Sequence, residues 1–156
     1  MNNAGIERRL AIGKMKEEEF KQFFSKTIDP SLEQDMHEHW DFKTEIKIDV
    51  KGMKKRSRSQ DSEPDENIHW IELKNVMGRL GWLYGEADFF AFETKKYWVV
   101  VDKLTLQDWV SKNIVKEMKP TPTLNHLYNR ASCDDIITLV SIHDLYYLSE
   151  LIVAKP

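Results

Sequence analysis

Two short stretches of this chain each place an acidic residue two positions before a lysine within a strand-like run. The stretch IKIDVK carries Asp49 and Lys51, and the stretch IHWIELK carries Glu72 and Lys74. Because side chains two positions apart on a β-strand lie on the same face, each acid shares a face with its lysine. Two neighbouring strands of this kind can direct carboxylates and an amine to one point. Such a point suits a hard divalent cation and a nucleophilic water.

Length and composition limit the classes of protein to consider. The chain has 156 residues, of which 41% are hydrophobic, which is enough for one domain with its own core. The net charge of −3 gives no overall basic signature for nucleic acid, so such a site needs local positive charge. Cys133 is the only cysteine, which excludes an intrachain disulfide and a multi-cysteine zinc site. Without a long apolar run or a signal-peptide pattern, we expect a cytoplasmic protein with no membrane segment.

Hydrophobic periodicity predicts an alternation of helices and strands. We expect residues 1–13 to be flexible and residues 52–67 to form an exposed loop, basic first and acidic afterwards. Helices are predicted at 14–26, 105–119 and 143–151, a glycine-punctuated turn or short helix at 75–87, and strands at 39–43, 46–51, 68–74, 88–93, 97–101 and 136–142. The order favours an α/β domain of α+β type, in which helices flank one mixed sheet that starts with a three-stranded meander.

The predicted order of elements resembles the PD-(D/E)xK nuclease superfamily, which has the restriction-endonuclease-like fold. In this superfamily a helix precedes a three-stranded meander, an acid lies on the second strand and the (D/E)-x-K element lies on the third. Asp49 matches the acid, and Glu72-Leu73-Lys74 matches the second element. The resemblance covers residues 14–110.

The resemblance implies hydrolysis of DNA phosphodiester bonds with Mg²⁺ or Mn²⁺. Asp49 and Glu72 would be metal ligands, and the backbone carbonyl of Leu73 would supply a further oxygen. Lys74 would orient the attacking water or neutralise charge on the phosphate.

Residues 70–93 are similar to small phage-type members, including Holliday-junction resolvases. This similarity implies a structure-selective or weakly sequence-specific nuclease of phage recombination or repair. Such an enzyme would act in a bacterial host on DNA, branched DNA included, as a homodimer. Members of the superfamily often add an acid from the first helix, for which Glu19 and Glu33 are the candidates.

A second register of the same motif is open. Asp41 followed by Asp49-Val50-Lys51 also reads as an acid and then D-x-K, and a tight hairpin around Glu45 would place the two aspartates opposite each other. The catalytic residues would then be Asp41, Asp49 and Lys51. We favour the first register, because a meander requires its third strand to carry the E-x-K element.

The start of the charged loop is a candidate surface for nucleic acid. Four basic residues follow the acidic strand closely, where they would contact phosphates beside the site: Lys54, Lys55, Arg56 and Arg58. A solvated loop is the alternative reading of the same charges.

Two other interpretations of the acid and lysine pattern are open. The charged side chains can form a cross-strand ladder of ion pairs on a solvated face. The chain can also be a catalytically inactive module on the same fold that binds nucleic acid or protein, which the net negative charge favours.

Overall fold

The computed structural model describes residues 3–24, 27–44, 46–56, 63–130 and 133–156. Its helices are α1 (Asn3–Lys21), α2 (Leu32–Glu38), α3 (Lys103–Asn113) and α4 (Ile142–Leu148), and a 3₁₀ turn spans Trp82–Tyr84. Its strands are β1 (Phe42–Lys43), β2 (Lys47–Lys51), β3 (Ile68–Lys74), β4 (Phe89–Glu93), β5 (Tyr97–Asp102), β6 (Val115–Lys119), β7 (His126–Tyr128), β8 (Ile136–Ser141) and β9 (Ser149–Ala154). This mixture of helices and strands confirms the expected α+β class.

The strands form two mixed sheets. The first sheet has the order β1-β2-β4-β5-β9, and within it only the β2–β4 pair is parallel. The second sheet has the order β3-β8-β7-β6, and within it only the β6–β7 pair is parallel. The acid and lysine stretches therefore lie in different sheets.

The three-stranded meander expected from the sequence is not formed. Strands β1 and β2 make the expected antiparallel hairpin, but β3 pairs with β8 and the second neighbour of β2 is β4. The alternation of residues along a strand shows which side chains share a face. It does not show which strands pair, because pairing depends on contacts between residues that are distant in sequence. The single central sheet of the expectation is replaced by two.

Each face of the first sheet has its own core. On one face, Phe20 of α1 packs with a set of apolar residues from the strands: Phe42, Ile48, Ala91, Trp98 and Val100. On the other face lies the larger core, which also includes residues of the second sheet, α3 and α4, among them Ile71, Phe90, Phe92, Leu106, Val140 and Leu145. Burial of this apolar area is the main stabilising contribution to the fold.

Several boundaries differ from the sequence expectations. Helix α1 begins at Asn3, within the segment expected to be flexible. Helix α3 ends at Asn113, so the end of the predicted 105–119 helix forms β6, and its N-cap is Asp102. The final predicted helix ends at Leu148 and is followed by β9.

A backbone hydrogen bond joins the two described ends of the charged loop. The Asp65 amide donates a hydrogen bond of 3.1 Å to the Lys54 carbonyl. This bond brings Asp65 of the acidic stretch back to Lys54 of the basic stretch. Among the described residues, no helix has both the length and the apolar character needed to cross a bilayer.

Candidate active site

The β1–β2 hairpin brings Asp41 to Asp49. Phe42 pairs with Ile48 in the hairpin, and the Asp41 amide donates to the Ile48 carbonyl at 3.1 Å. The Val50 amide in turn donates to Asp41 Oδ2 at 2.5 Å. Backbone hydrogen bonds therefore hold the Asp41 carboxyl group against the strand that carries Asp49.

Asp49 is buried beside a lysine amine. It is 3% exposed, and its Oδ2 lies 2.6 Å from Lys51 Nζ. Although this is a close charge contact, Oδ2 receives no hydrogen bond of favourable direction. The Lys51 amine also lies 4.3 Å from the centre of the Trp82 ring, where the negative face of the ring favours a cation.

The environment of the two aspartates favours their protonated forms. Burial, followed by repulsion from Asp49, raises the pKa of Asp41 to about 7, although Lys51 and the Val50 amide oppose the shift. Burial also raises the pKa of Asp49, against the attraction of Lys51. Two carboxyl groups this close cannot both ionise without a large cost unless a cation compensates them.

A third acid, Glu17, approaches from helix α1. Burial, followed by repulsion from Asp41 and Asp35, raises the pKa of Glu17 to about 7. The helix is held in place by the packing of Phe20 and by an ion pair of 2.5 Å between Lys16 and Glu93. We call Glu17, Asp41, Asp49 and Lys51 the carboxylate site.

The sequence reasoning missed Glu17, although the sequence contains a signal for it. Glu17 lies three residues before the buried Phe20, so the two share one face of α1. An acid on the apolar face of a helix is unusual and marks a candidate site. The two acids expected in this role lie elsewhere: Glu19 pairs with Lys16 and Lys155, and Glu33 is exposed in the first turn of α2.

Strand β3 carries Glu72, Leu73 and Lys74 in the second sheet, and the first two contact the segment around the 3₁₀ turn. Glu72 Oε2 accepts a hydrogen bond of 3.4 Å from the Trp82 amide, and the Leu73 carbonyl accepts one of 2.9 Å from Gly81. Lys74 is exposed beside an irregularity in the β3–β8 pairing. Within the described ranges no hydrogen bond or ion pair links these residues to Asp49, whereas Lys51 pairs with Asp49 and Asp41 accepts from the neighbouring Val50 amide. These contacts bring together the residues of the alternative register.

The basic residues lie just beyond β2. Lys54, Lys55 and Arg56 are exposed, and Arg58 lies outside the described residues. The Lys55 carbonyl accepts a hydrogen bond of 3.4 Å from the Trp70 indole. Three of the four basic residues are therefore at the surface, in the segment that continues from Lys51.

The carboxylate site contains two carboxyl groups that could hold a cation. Among the described residues, no three His, Cys, Asp or Glu side chains are grouped closely enough to enclose a metal. Mg²⁺, however, keeps several of its waters and usually takes only one or two carboxylates together with substrate phosphates. Asp41 and Asp49 are the carboxyl groups that could supply that pair, and Lys51 Nζ, 2.6 Å from Asp49 Oδ2, is the cation beside them in this structure.

Comparison of the chain with protein-family models, with curated proteins and with solved structures gives no match.

Proposed function

We propose that this protein is a nuclease that hydrolyses DNA phosphodiester bonds with Mg²⁺ or Mn²⁺ at the carboxylate site. One observation carries the proposal: the carboxyl groups of Asp41 and Asp49 are held together beside the amine of Lys51. Mutually repelling, desolvated carboxylates weaken a fold, and such arrangements are concentrated at functional sites. An ion-pair ladder on a solvated face would leave these groups exposed.

Each residue of the carboxylate site has a role that follows from its surroundings. Asp41 and Asp49 would bind the divalent cation, which supplies Lewis acidity and lowers the pKa of a bound water. The Val50 amide fixes the orientation of Asp41. Lys51 would move from Asp49 toward the phosphate, where its amine neutralises charge that develops during attack.

Glu17 would serve as a proton acceptor at the same site. A pKa of about 7 lets its carboxyl group take or release a proton near neutral pH. Its place on α1 keeps it separate from the hairpin that carries the other acids.

The proposal retains the PD-(D/E)xK resemblance in its second register. A helix acid, an acid immediately before the first strand and D-x-K on the second then precede the parallel strand β4. Glu72 supports the turn that presents Trp82 to Lys51. The exposed Lys54, Lys55 and Arg56 would contact DNA phosphates, and the homodimer and the preference for branched DNA rest on the resemblance alone.

A second candidate function is a catalytically inactive binding module. The net charge of −3 and the close contact between Lys51 and Asp49 favour it, because an ion pair can satisfy both groups without a metal. Such a module would bind nucleic acid or protein without cleaving it.

A cleavage assay tests the proposal. Branched, duplex and single-stranded DNA are incubated with Mg²⁺ or Mn²⁺ and with wild type, Asp49→Asn or Lys51→Gln, and the matched controls are Glu72→Gln and Lys74→Gln. We expect the first two variants to lose about 10²- to 10³-fold in rate and the controls to retain most activity. No cleavage by the wild-type protein, or loss confined to the two controls, would refute the assignment.

A further inference from the structure

A cleft lies between the end of α2 and the segment that leads into the 3₁₀ turn. Its volume is about 360 Å³, near the lower end for ligand sites. The side chains that matter for recognition are two imidazoles, a guanidinium and a phenol, from His37, His39, Arg79 and Tyr84. No acidic residue is among those that line it.

The charge of the cleft stands out in an acidic protein. Within the described part of the chain, the Arg79 guanidinium forms no ion pair. The nearest acid in sequence to the histidines is Glu38, whose carboxylate accepts a hydrogen bond from the Trp40 indole and pairs with Lys47. The cleft therefore presents positive and hydrogen-bonding groups that are available to an anionic ligand.

Backbone contacts hold the two walls of the cleft together. The Glu86 amide donates to the Glu38 carbonyl at 2.6 Å. A Cβ at Gly85 would come within 3.0 Å of both the Glu38 carbonyl oxygen and His39 Cβ, so glycine permits this close approach. His39 has φ of 56°, a left-handed conformation that is uncommon outside glycine. The cleft is thus preformed, which reduces the entropy cost of binding.

The cleft and the carboxylate site share two segments of chain. His39 lies two residues before Asp41, and Tyr84 lies two residues after Trp82, whose ring covers the Lys51 amine. Tyr84 is 43% exposed, so part of its ring is available for stacking. An exposed aromatic ring beside a guanidinium is the combination that binds a base and its phosphate.

We infer that this cleft binds a single-stranded segment of nucleic acid next to the phosphodiester that the carboxylate site attacks. Tyr84 stacks on a base, and Arg79 contacts a phosphate, with the imidazoles of His37 and His39 as further donors. The inference rests on the proposed function for the identity of the ligand. It adds the place where the strand is held and the residues that hold it.

The test is a binding measurement that does not require cleavage. A short fluorescent single strand, as DNA and as RNA of the same sequence, is titrated in EDTA with wild type, Arg79→Ala and Tyr84→Ala. Matched controls are Lys96→Ala, which removes an exposed charge on the β4–β5 hairpin, and Tyr147→Ala, which removes an exposed ring on α4. Thermal unfolding confirms that every variant is folded.

We expect Arg79→Ala and Tyr84→Ala each to weaken binding by about tenfold and both controls to stay within about twofold. Arg79→Ala also reduces the slope of log affinity against log salt by about one, and Tyr84→Phe restores binding. Whichever of DNA and RNA shows these losses is the ligand. Normal binding by both cleft variants, equal losses in the controls, or no binding by the wild-type protein overturns the inference.

Hydrolysis of bis(p-nitrophenyl) phosphate, which is too small to need the cleft, separates this inference from the nuclease proposal. If wild type hydrolyses this ester and the cleft variants bind strands normally, the cleft inference fails and the nuclease stands. If wild type hydrolyses nothing and the cleft variants lose strand binding, the nuclease fails and the cleft stands.

Discussion

The Asp41 side chain lowers the stability of the metal-free fold at neutral pH. Its pKa is raised from 3.8 to about 7, mainly because it is buried and secondly because Asp49 repels it. Between these two pH values the folded state binds more protons than the unfolded state, so stability falls as the pH rises. Removing the charge without removing the hydrogen-bond acceptor should therefore stabilise the protein.

We predict that Asp41→Asn stabilises the metal-free protein by about 1–3 kcal/mol at about pH 8 and abolishes cleavage. The asparagine oxygen can still accept from the Val50 amide, so the hairpin is retained. The gain should shrink as the pH falls and disappear well below the usual pKa of 3.8, where the aspartate is neutral in both states. Denaturant unfolding in EDTA measures the stability, and the cleavage assay measures the activity.

Asp108→Asn is the control for this substitution. Asp108 is exposed and pairs only with Lys112 on its own helix, so its replacement should change stability by less than about 0.5 kcal/mol. An Asp41→Asn protein that is less stable than wild type at about pH 8 would show that the charge of Asp41 is not a source of strain.

At the scale of elements, Glu93 ties three parts of the fold together. Its carboxylate pairs with Lys16 of α1 at 2.5 Å and with Lys155 beyond β9 at 2.6 Å, and it accepts from the Met53 amide at 2.9 Å. Although burial opposes the shift, these partners lower the pKa of Glu93. The network fixes α1, and thus Glu17, relative to the strand that carries Lys51.

We predict that Glu93→Gln destabilises the protein by about 3 kcal/mol, because two lysines lose their buried partner. A carboxylate with a lowered pKa stabilises the fold above its usual pKa of 4.5, and this contribution is lost as the pH falls through the lower folded value. The difference between variant and wild type should therefore shrink in acid. Urea unfolding across this pH range measures it.

Glu117→Gln is the matched control, since Glu117 pairs with Lys119 at the surface and has a lowered pKa as well. Its replacement should leave the urea midpoint nearly unchanged. If the Glu93 and Glu117 variants had the same midpoint, the network would not organise the fold.

The local elements were largely predictable from the sequence, but their partners were not. The strand from Ile68 to Lys74 and the hairpin formed by β4 and β5 follow from short apolar runs, the latter two joined by the polar Thr94-Lys95-Lys96. Strand β9 was not predicted, because the short run SELIVA after Leu148 is compatible with both helix and strand. Only its pairing with β5, which is distant in sequence, decides its conformation.

The candidate site was predictable in its residue types and not in its register. Asp49 belongs to both registers, and the hairpin that brings Asp41 to it was foreseen as the alternative. The choice between the two registers depended on whether β3 pairs with β2. Strand pairing is decided by contacts across the whole sheet, which the local sequence does not reveal. To predict Glu17 as a site residue, one would have to recognise that an acidic position of α1 is partly buried.

At the scale of the whole molecule, the pH dependence of folding stability reflects buried groups with opposite effects. Glu17, Asp41 and Asp49 have raised pKa values, so they make the metal-free fold more stable as the pH falls. His69 opposes them, because burial lowers its pKa to about 4 and the unfolded chain takes up a proton near the usual value of 6.5. Above that value His69 no longer contributes, and the three acids favour the more acidic solution.

We predict that the metal-free protein is more stable at about pH 6.5 than at about pH 8, and that saturating Mg²⁺ removes or reverses this difference. The ion compensates the ionised carboxylates, so it stabilises the folded state most where they are deprotonated. Thermal unfolding with EDTA or Mg²⁺ at the two pH values tests this. Greater stability at the higher pH in EDTA would mean that ionisation of the three acids does not destabilise the metal-free fold.

Binding of Mn²⁺ tests the central claim most directly, because the claim is that Asp41 and Asp49 form one cation site. Electron paramagnetic resonance titration at about pH 8 compares wild type with Asp41→Asn, Asp49→Asn and Glu72→Gln. We predict saturable binding by wild type and Glu72→Gln, and a loss of affinity of more than about tenfold in both aspartate variants. No saturable binding by wild type, or a loss seen only with Glu72→Gln, would contradict the account.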